Sequence, residues 1–323
     1  MPKSIRMSAT GGPDVLRFEE VDLPAPAAGQ VCVRHTAIGV NYIDTYHRSG
    51  LYPKPLPAGL GMEAAGVVKA VGPGVTSLRE GDRITYVGGA GDAYSEETIV
   101  PAAGVIPLPS GISDETAAAM MLKGLTVHML FHRVAQPKRG ETVLFHAAAG
   151  GVGLLASQWA RAIGLRMIGT VGSKEKAELA HSRGCAETIL YREEDLVART
   201  RELTGGRGVP IVYDSVGRDT LARSLDCLAP RGLLVSFGNA SGTPPPIELP
   251  ALSKGSLFVT RPSLFHYIGD AAEREEACAA LFRMVESGAI TVEIGRRYAL
   301  ADAAKAHQDL EARKTTGSVI LVP

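Results

Sequence analysis

The residues whose types and spacing could hold a nucleotide lie between Thr142 and Gly153, in the sequence TVLFHAAAGGVG. A short apolar run is followed by small residues and by Gly150, Gly151 and Gly153, and the next residues have helical spacing. Backbone without side chains can approach phosphates, and the N-terminus of a helix offers free N–H groups and a positive dipole end. The order strand, tight turn, helix therefore predicts a turn that binds a dinucleotide pyrophosphate.

This motif is incomplete, because Ala148 stands at the first glycine of the usual G-x-G-x-x-G pattern. Turns rich in alanine and glycine also serve plain helix packing, so the motif alone is weak evidence of a ligand. A second apolar strand, residues 166–171, follows one helix later, as a βαβ unit requires. The motif and its context together favour a nucleotide site.

The residues after that second strand bear on which nicotinamide nucleotide would bind. Enzymes that select NAD usually place Asp or Glu there, where the carboxylate bonds the ribose 2′-OH. Here the strand is followed by Gly172, Ser173 and, three residues on, Lys176. A hydroxyl can donate to a 2′-phosphate and an ammonium can neutralise it, whereas a carboxylate would repel it. The sequence predicts NADPH, with a plain solvated surface as the alternative reading of the lysine.

Length and composition restrict the class of protein. The 323 residues suffice for two domains, and 34 basic against 34 acidic residues give no net charge, so a nucleic-acid partner held by bulk electrostatics is not expected. The N-terminus has no apolar signal-peptide core, and no later apolar run is long enough for a membrane span. The four cysteines form no C-x-x-C pair. We expect a soluble cytoplasmic protein with reduced thiols and no membrane partner.

The hydrophobic pattern predicts an α/β fold with two domains. Short strands and Gly/Pro turns before residue 124 predict a small antiparallel barrel, interrupted by a turn-rich loop at residues 41–61. A helical segment, residues 113–131, follows, and Gly124 is expected to break it into two helices. Strict alternation of strand and helix over residues 143–238 predicts a doubly wound parallel sheet. The last strand, residues 318–322, is expected to return to the first domain.

Seven short runs, taken in order, resemble a known family over essentially the whole chain. They are residues 41–46, 48–53, 122–126, 146–153, 213–217, 236–239 and 259–262. By these runs the chain resembles the zinc-independent branch of the medium-chain dehydrogenase/reductase superfamily, and within it the NADPH:quinone oxidoreductases related to zeta-crystallin. The resemblance implies a GroES-like β-barrel catalytic domain (1–124), a Rossmann NADPH-binding domain with a doubly wound parallel sheet (125–262) and a C-terminal return to the catalytic domain (263–323).

The resemblance also implies which residues form the site. The catalytic candidates are Asn41, Tyr46 and Tyr52, which together with Thr126 would line the nicotinamide and substrate cleft. The pyrophosphate would lie on Gly150, Gly151, Val152 and Gly153, and the adenosine with its phosphate on Gly172, Ser173, Lys176 and Tyr191. The rest of the nucleotide bed would be Ser215, Phe237, Gly238, Asn239, Arg261 and Arg313.

The sequence argues against a metal. Zinc-dependent relatives use a Gly-His-Glu run and a cysteine near the position of Asn41, because a catalytic zinc needs three protein ligands and an open fourth position. Here residues 61–63 read Gly-Met-Glu, and an asparagine cannot supply a thiolate. His128 and His132 have the i, i+4 spacing of a ligand pair, but no acidic partner lies near them in sequence. We therefore expect no metal site.

Tyrosines suggest the kind of substrate. Tyr42, Tyr46, Tyr52 and Tyr94 lie in the first domain, where they predict an aromatic slot for a planar acceptor, although tyrosines also half-bury in loops for packing alone. Nicotinamide supplies a hydride, so the protein must align donor and acceptor and exclude water. The expected activity is direct, metal-free hydride transfer from NADPH to a quinone.

Two other functions are compatible with the sequence, and the oligomeric state also has to be considered. An NADPH-dependent reductase of the C=C bond in enones or enals needs the same pocket. A non-catalytic NADPH-binding protein, of the crystallin type or with RNA-binding ability, is the alternative from another class. A homodimer is expected from the resemblance and from the apolar strand at residues 256–259, which could pair with its copy across a two-fold axis. A sheet edge buried within one chain explains that strand equally simply.

Overall fold

The computed structural model describes residues 1–88 and 92–323, and the chain forms two compact units. The first unit is Met1–Lys123 with Val292–Pro323, and the second is Gly124–Thr291. The chain therefore leaves the first unit one residue before the expected boundary at residue 124. The chain returns to the first unit after residue 291, whereas the sequence predicts the return after residue 262. Residues 263–291 thus belong to the nucleotide unit and not to the C-terminal return. The Leu281 side chain of this segment lies directly against Gly124 at the start of the second unit.

The elements are numbered in chain order through both units. The strands are β1 (Lys3–Met7), β2 (Arg17–Glu20), β3 (Gln30–Val40), β4 (Ala58–Gly59), β5 (Glu63–Val71), β6 (Arg83–Val87), β7 (Glu97–Pro101), β8 (Val105–Pro107), β9 (Thr142–Phe145), β10 (Arg166–Val171), β11 (Glu187–Leu190), β12 (Val209–Asp214), β13 (Leu228–Ser236), β14 (Phe258–Thr260), β15 (Ile294–Ala299) and β16 (Ser318–Val322). The α-helices are α1 (Tyr42–Ser49), α2 (Asp114–His128), α3 (Gly151–Ile163), α4 (Lys174–Ser182), α5 (Leu196–Leu203), α6 (Leu221–Asp226), α7 (Leu249–Ser253), α8 (Leu264–Tyr267), α9 (Ala271–Glu286) and α10 (Ala303–Glu311).

The first unit is built from two sheets around one apolar core. The larger sheet has the order β15-β16-β3-β5-β6-β8, with β7 also paired to β3, and the smaller has the order β2-β1-β4. The pairs are antiparallel except β15 with β16. Strand β16 pairs with β3, with Ile320 opposite Gly39, which is the return of the terminal strand that the sequence analysis expects. Ile5, Val31, Ile84 and Val319 are buried in the shared core.

A helix lies where the sequence analysis expects only a loop. Residues 41–61 contain α1, which begins after Asn41 in extended conformation and ends at Gly50, whose φ of 84° is left-handed. The Asp44 side chain accepts the backbone N–H of Asn41 at 2.8 Å, which satisfies an otherwise unpaired donor at the helix start. The buried side of this helix carries polar residues, Asp44 and Arg48 among them, so apolar periodicity could not reveal it.

Gly124 does not break the helix that contains it. Helix α2 runs through it to His128 and continues as a π-turn, Met129–Val134. A Cβ at Gly124 would lie 2.6 Å from the side chain of Leu281 in α9. The glycine is therefore required for close packing of two helices, and the expected interruption is wrong.

The second unit is the doubly wound parallel sheet that the alternation predicts. Its strands have the order β11-β10-β9-β12-β13-β14, and the pairs are parallel. Leu144, Ile168, Val212 and Leu234 are buried in its core. The chain reverses its direction of travel across the sheet between β9 and β12, which is where such sheets bind ligands at the carboxyl ends of their strands. Within the described part of the chain, no helix is long and apolar enough to cross a membrane.

Candidate active site

The glycine-rich turn connects β9 to α3 at the reversal point. Gly150 is the extended residue before α3, and Ala147 adopts a left-handed conformation with φ of 58°. The Ala147 N–H donates to Thr170 Oγ1 at 3.2 Å, and its carbonyl accepts the Gly150 N–H at 3.0 Å. These bonds fix a tight turn whose backbone leads straight into the helix N-terminus, as the sequence predicts.

The small residues of this turn meet two different needs. A Cβ at Gly153 would lie 2.4 Å from the Ala147 carbonyl oxygen and 2.6 Å from the Ala148 Cα, so glycine is needed for α3 to approach the turn. A Cβ at Gly150 would meet only the Ala147 oxygen, at 3.3 Å. The protein therefore places one tight contact beside Gly150 and no other atom within 4 Å, and exposed backbone at a helix N-terminus suits a pyrophosphate. These residues fit a dinucleotide.

A buried polar network, which no motif of the sequence indicates, lies under the turn. Asp214 Oδ2 accepts the Ser224 hydroxyl at 2.8 Å, and Ser224 Oγ lies 2.9 Å from His146 Nε2. Because the Ser224 proton goes to Asp214, His146 carries its proton on Nε2 and accepts from Thr170 Oγ1 at Nδ1, 3.0 Å away. Burial lowers the pKa of His146. The network ties the ends of β9, β10 and β12 together and so holds the turn.

The residues predicted for the adenosine end come together at the next two strands. Ser173 precedes α4, and its hydroxyl oxygen accepts the Lys176 backbone N–H at 3.4 Å. A Cβ at Gly172 would lie 2.9 Å from the Tyr191 hydroxyl oxygen, so this ring lies against the end of β10. The guanidinium of Arg192, which the sequence analysis does not single out, lies 6.0 Å from the centre of the Tyr191 ring. Positive charge thus borders the predicted phosphate site.

Five other predicted residues follow the carboxyl ends of the remaining strands, namely Ser215, Phe237, Gly238, Asn239 and Arg261. A Cβ at Gly238 would lie 2.4 Å from the Ser215 carbonyl oxygen, which brings the ends of β12 and β13 together. Arg261 donates to Ser236 Oγ at 2.8 Å and to Asn239 Oδ1 at 2.9 Å. Thr126 lies nearly buried in α2, and Arg313 follows α10 in the first unit with a left-handed φ of 58°.

The catalytic candidates of the first unit lie on and just after α1. Tyr46 and Tyr52 meet edge to face with ring centres 5.2 Å apart, and Tyr42 lies 6.2 Å from Tyr46. The Tyr52 backbone N–H donates to the Tyr46 carbonyl at 3.1 Å, which fixes the chain beyond the helix. Three of the four tyrosines predicted to form an aromatic slot therefore cluster. Tyr94 does not join them, because it is fully buried in a polar network of its own.

In this second network of hydrogen bonds, each side chain donates to the next, from Arg48 through His307 and Tyr94 to Asp44. Arg48 Nη1 lies 3.2 Å from His307 Nδ1, and because arginine only donates, His307 must accept there and carry its proton on Nε2. His307 Nε2 then donates to the Tyr94 oxygen at 3.0 Å, and the Tyr94 hydroxyl donates to Asp44 Oδ2 at 3.0 Å. Arg48 is also paired with Glu311 at 2.7 Å. The network secures α1 against α10.

Burial sets the protonation of this network. It raises the pKa of Asp44 to about 7, against the lowering effect of the hydrogen bonds from Asn41 and Tyr94. Burial, with the Arg48 charge beside it, lowers the pKa of His307 to about 3. Asp44 Oδ2 accepts two hydrogen bonds, while Asp44 Oδ1 has no hydrogen-bond partner among the described residues. In the neutral form of this carboxyl group, the proton would therefore reside on Asp44 Oδ1.

Glu63 stands where zinc-dependent relatives have a ligand run, but its carboxylate is otherwise engaged. Glu63 Oε1 accepts from Asn41 Nδ2 at 2.8 Å and from Lys123 Nζ at 3.0 Å. An ammonium at this distance would oppose a cation, and Met62 offers only a thioether. Among residues 1–88 and 92–323, no group of three His, Cys, Asp or Glu side chains could hold a metal. These residues do not fit a zinc ion.

The histidine pair of the second unit is part of an aromatic cluster. The rings of His128 and His132 have centres 5.0 Å apart, and the Trp159 indole N–H donates to His132 Nε2 at 3.0 Å. Burial and the nearby His132 lower the pKa of His128 to about 4. One ring nitrogen is thus already occupied, and packing accounts for the i, i+4 spacing.

Comparisons with known proteins agree with this geometry. Residues 27–110 match the alcohol dehydrogenase GroES-like domain, and residues 151–286 match the zinc-binding dehydrogenase family. The chain is 54% identical to a quinone oxidoreductase of Pseudomonas aeruginosa over the whole of both chains, and 45% identical to a 2-haloacrylate reductase of a Burkholderia species, covering 97% of this chain and 96% of that protein. The structure of Escherichia coli quinone oxidoreductase complexed with NADPH superposes with a TM-score of 0.98 at 51% identity, covering 99% of this chain and 100% of that one. The chain therefore belongs to the quinone oxidoreductase family of the medium-chain dehydrogenase/reductase superfamily.

Proposed function

We propose that this protein is an NADPH-dependent quinone oxidoreductase that transfers hydride directly to its acceptor. The observation that carries the proposal is the engagement of Glu63 by Asn41 and Lys123, and residues 1–88 and 92–323 contain no group of three His, Cys, Asp or Glu side chains that could hold a catalytic metal. An ordinary ketone needs a metal or an acid at once, because its reduction gives an alkoxide. A quinone gives a delocalised hydroquinone anion, which water protonates readily. The relatives named quinone oxidoreductase support the same acceptor.

NADPH supplies the hydride when bound, and the residues of this chain supply binding and alignment. We assign the pyrophosphate to the backbone of residues 150–153, and the adenosine and its phosphate to Gly172, Ser173, Lys176 and Tyr191. Ser215, Phe237, Gly238, Asn239, Arg261 and Arg313 complete the nucleotide bed. Thr126 and Asn41 orient the nicotinamide, while Tyr46 and Tyr52 align the planar acceptor and exclude water from it.

Steady-state oxidation of NADPH with a panel of quinones and enones tests this proposal. We expect quinones to be the better acceptors, turnover to be unchanged by chelators, and the purified protein to hold no stoichiometric zinc. An activated C=C bond is the second candidate acceptor, because one relative, 45% identical, is a 2-haloacrylate reductase. Faster turnover of enones than of every quinone would put that candidate first. About one zinc per chain, with activity lost on its removal, would refute direct transfer.

Lys176 tests the choice of nucleotide. We expect Lys176→Ala to weaken NADPH binding by about 10- to 100-fold, because a charge-assisted hydrogen bond to the 2′-phosphate is worth roughly 1.5 to 3 kcal/mol. Binding of NADH, which lacks that phosphate, should change little. Lys174→Ala is the matched control, since Lys174 starts the same helix and is exposed. Calorimetric titration of both nucleotides measures the effect, and an equal loss for both would mean that Lys176 does not read the phosphate.

We also propose a homodimer through the edge strand of the parallel sheet. Strand β14 pairs with β13 at the end of the sheet order, and 61% of Phe258 is exposed there beside Val259. Unpaired strand edges with apolar side chains are suited to pairing across a two-fold axis. Sedimentation should give twice the 33.9 kDa chain mass, and Phe258→Asp should give monomers. Phe18→Asp on β2 is the matched control, and a wild-type monomer at micromolar concentration would contradict the dimer.

A cytoplasmic location is the final part of the proposal. The cysteines Cys32, Cys185, Cys227 and Cys278 are unpaired and buried. Unpaired thiols are typical of proteins from reducing compartments.

A further inference from the structure

Glu63 is the meeting point of three hydrogen-bond donors inside the first unit. Its side chain is fully buried at the start of β5. Glu63 Oε1 accepts from Asn41 Nδ2 and Lys123 Nζ, and Glu63 Oε2 accepts the Leu122 backbone N–H at 2.6 Å. The Lys123 side chain is itself only 6% exposed. A buried carboxylate requires such partners, because an uncompensated buried charge is costly.

The fold makes room for this carboxylate. A Cβ at Gly39 of β3 would lie 2.3 Å from Glu63 Oε1 and 2.5 Å from Glu63 Cγ. Any larger residue at Gly39 would displace the side chain that holds Asn41 and Lys123. Strand β3 therefore passes Glu63 at a distance that only glycine permits, and the carboxylate has a defined place.

The contacts determine which way the Asn41 carboxamide faces. Lys123 can only donate, so the oxygen it shares with Asn41 acts as an acceptor, and the Asn41 atom beside it must be the NH₂ group. The Asn41 carbonyl oxygen is then turned away from Glu63. The Asn41 backbone is held separately, by Asp44. Two buried acidic side chains thus fix the main chain and the amide of one residue.

We propose that Glu63 is a positioning residue for hydride transfer. It sets the orientation of the Asn41 carboxamide and holds the Lys123 ammonium next to it as a paired charge. This inference rests on the proposed function, in which Asn41 orients the nicotinamide. Because a misplacement of about 1 Å can cost about 100-fold in rate, a rotated amide should affect the chemical step more than binding.

The variants separate positioning from folding. Glu63→Gln keeps the shape of the side chain but offers one acceptor oxygen where the carboxylate serves three donors, and it leaves the Lys123 charge unpaired. Glu63→Gln/Lys123→Met removes that charge and leaves a glutamine oxygen at the Oε1 position to Asn41 alone. If Glu63→Gln is poorly folded by circular dichroism, the double variant carries the test, and it should restore the orientation of the amide.

The kinetic test is a double-mutant cycle with Asn41. We expect Glu63→Gln to lower kcat by about 10- to 100-fold, with the Kd of NADPH changed by less than about threefold and a larger isotope effect from NADPH deuterated at the transferred position. In an Asn41→Ala background the same substitution should have little further effect. Multiplicative losses in the doubly substituted protein would show that Glu63 acts independently of Asn41, and an unchanged kcat in Glu63→Gln would equally overturn the proposal.

A second readout does not depend on quinone turnover. The Asn41 side-chain ¹⁵N amide signal, assigned by its loss in Asn41→Ala, should be protected from solvent exchange in the wild type and in Glu63→Gln/Lys123→Met. It should lose protection at least tenfold in Glu63→Gln. Equal protection in all three would contradict positioning by Glu63. A wild type that reduces no quinone, with the predicted protection pattern intact, would refute the proposed function while still showing that Glu63 orients the Asn41 amide.

Discussion

Gly153→Ala is expected to destabilise the nucleotide-free protein, whereas Gly150→Ala is expected to weaken NADPH binding without doing so. The added methyl at Gly153 would contact backbone atoms of Ala147 and Ala148 at 2.4 and 2.6 Å, and backbone cannot move aside as a side chain can. Overpacking of this kind costs about 1 to 3 kcal/mol, and a backbone clash belongs at the upper end. The turn itself must shift, so NADPH affinity should fall as well.

Gly150 is the matched position, because its Cβ would meet a single backbone atom, the Ala147 oxygen at 3.3 Å, which needs a shift of only a few tenths of an ångström. Its φ of −81° and ψ of 171° suit alanine, so unfolding of the nucleotide-free variant should change by less than about 1 kcal/mol. The methyl would instead occupy space proposed for the pyrophosphate, and affinity should fall about tenfold or more. Chemical unfolding without nucleotide, together with titration of NADPH fluorescence, measures both quantities. Full NADPH affinity in Gly150→Ala would mean that the pyrophosphate does not pass over this turn.

The sequence predicts the strands and turns that carry the proposed nucleotide residues, because that part of the fold follows local rules. Each strand and each helix has its own pattern of hydrophobic residues, and residues that follow parallel strands meet at one edge of the sheet. Ser173 could therefore be placed at this edge from the pattern itself, whereas Ser215 and Asn239 are implied by the resemblance and follow parallel strands of the same sheet. The network of His146, Ser224 and Asp214 has no signal in the sequence, although His146 follows β9 and Asp214 ends the neighbouring strand β12, because hydrogen bonds between side chains have no sequence period.

The contacts around the proposed catalytic residues cannot be predicted from the sequence, and the reason is distance along the chain. His307 meets Tyr94 from a segment 213 residues away, and Lys123 meets Glu63 from 60 residues away. Such pairs can be identified only in the folded structure, where β16 pairs with β3 and residues of α2 contact Glu63 of β5. Helix α1 was hidden for a different reason, because its buried residues are polar and are satisfied by partners that come from elsewhere.

The stability of the folded protein should decrease from pH 5 to pH 7 because of one carboxyl group, Asp44. Burial raises its pKa from the ordinary 3.8 to about 7, so the folded state keeps a proton that the unfolded state releases. The contribution is fully present below the unfolded value and is lost as the pH rises through the folded one. Between these values the slope for one proton is about −1.4 kcal/mol per pH unit. We therefore expect a loss of roughly 2 to 3 kcal/mol over this interval.

Asp44→Asn isolates this contribution, since the amide keeps the shape and does not titrate. The unfolding free energy of the wild type minus that of the variant, measured by denaturant at pH 5, 6, 7 and 8, should fall with pH and level off above 7, because shared ionisations cancel. Tyr94→Phe provides a directional check. The Tyr94 hydroxyl lowers the pKa of Asp44, so without it the contribution of Asp44 to the unfolding free energy should continue to fall up to a higher pH. A difference that is flat with pH would show that Asp44 is ionised throughout, with a partner at Oδ1 such as a bound water or cation.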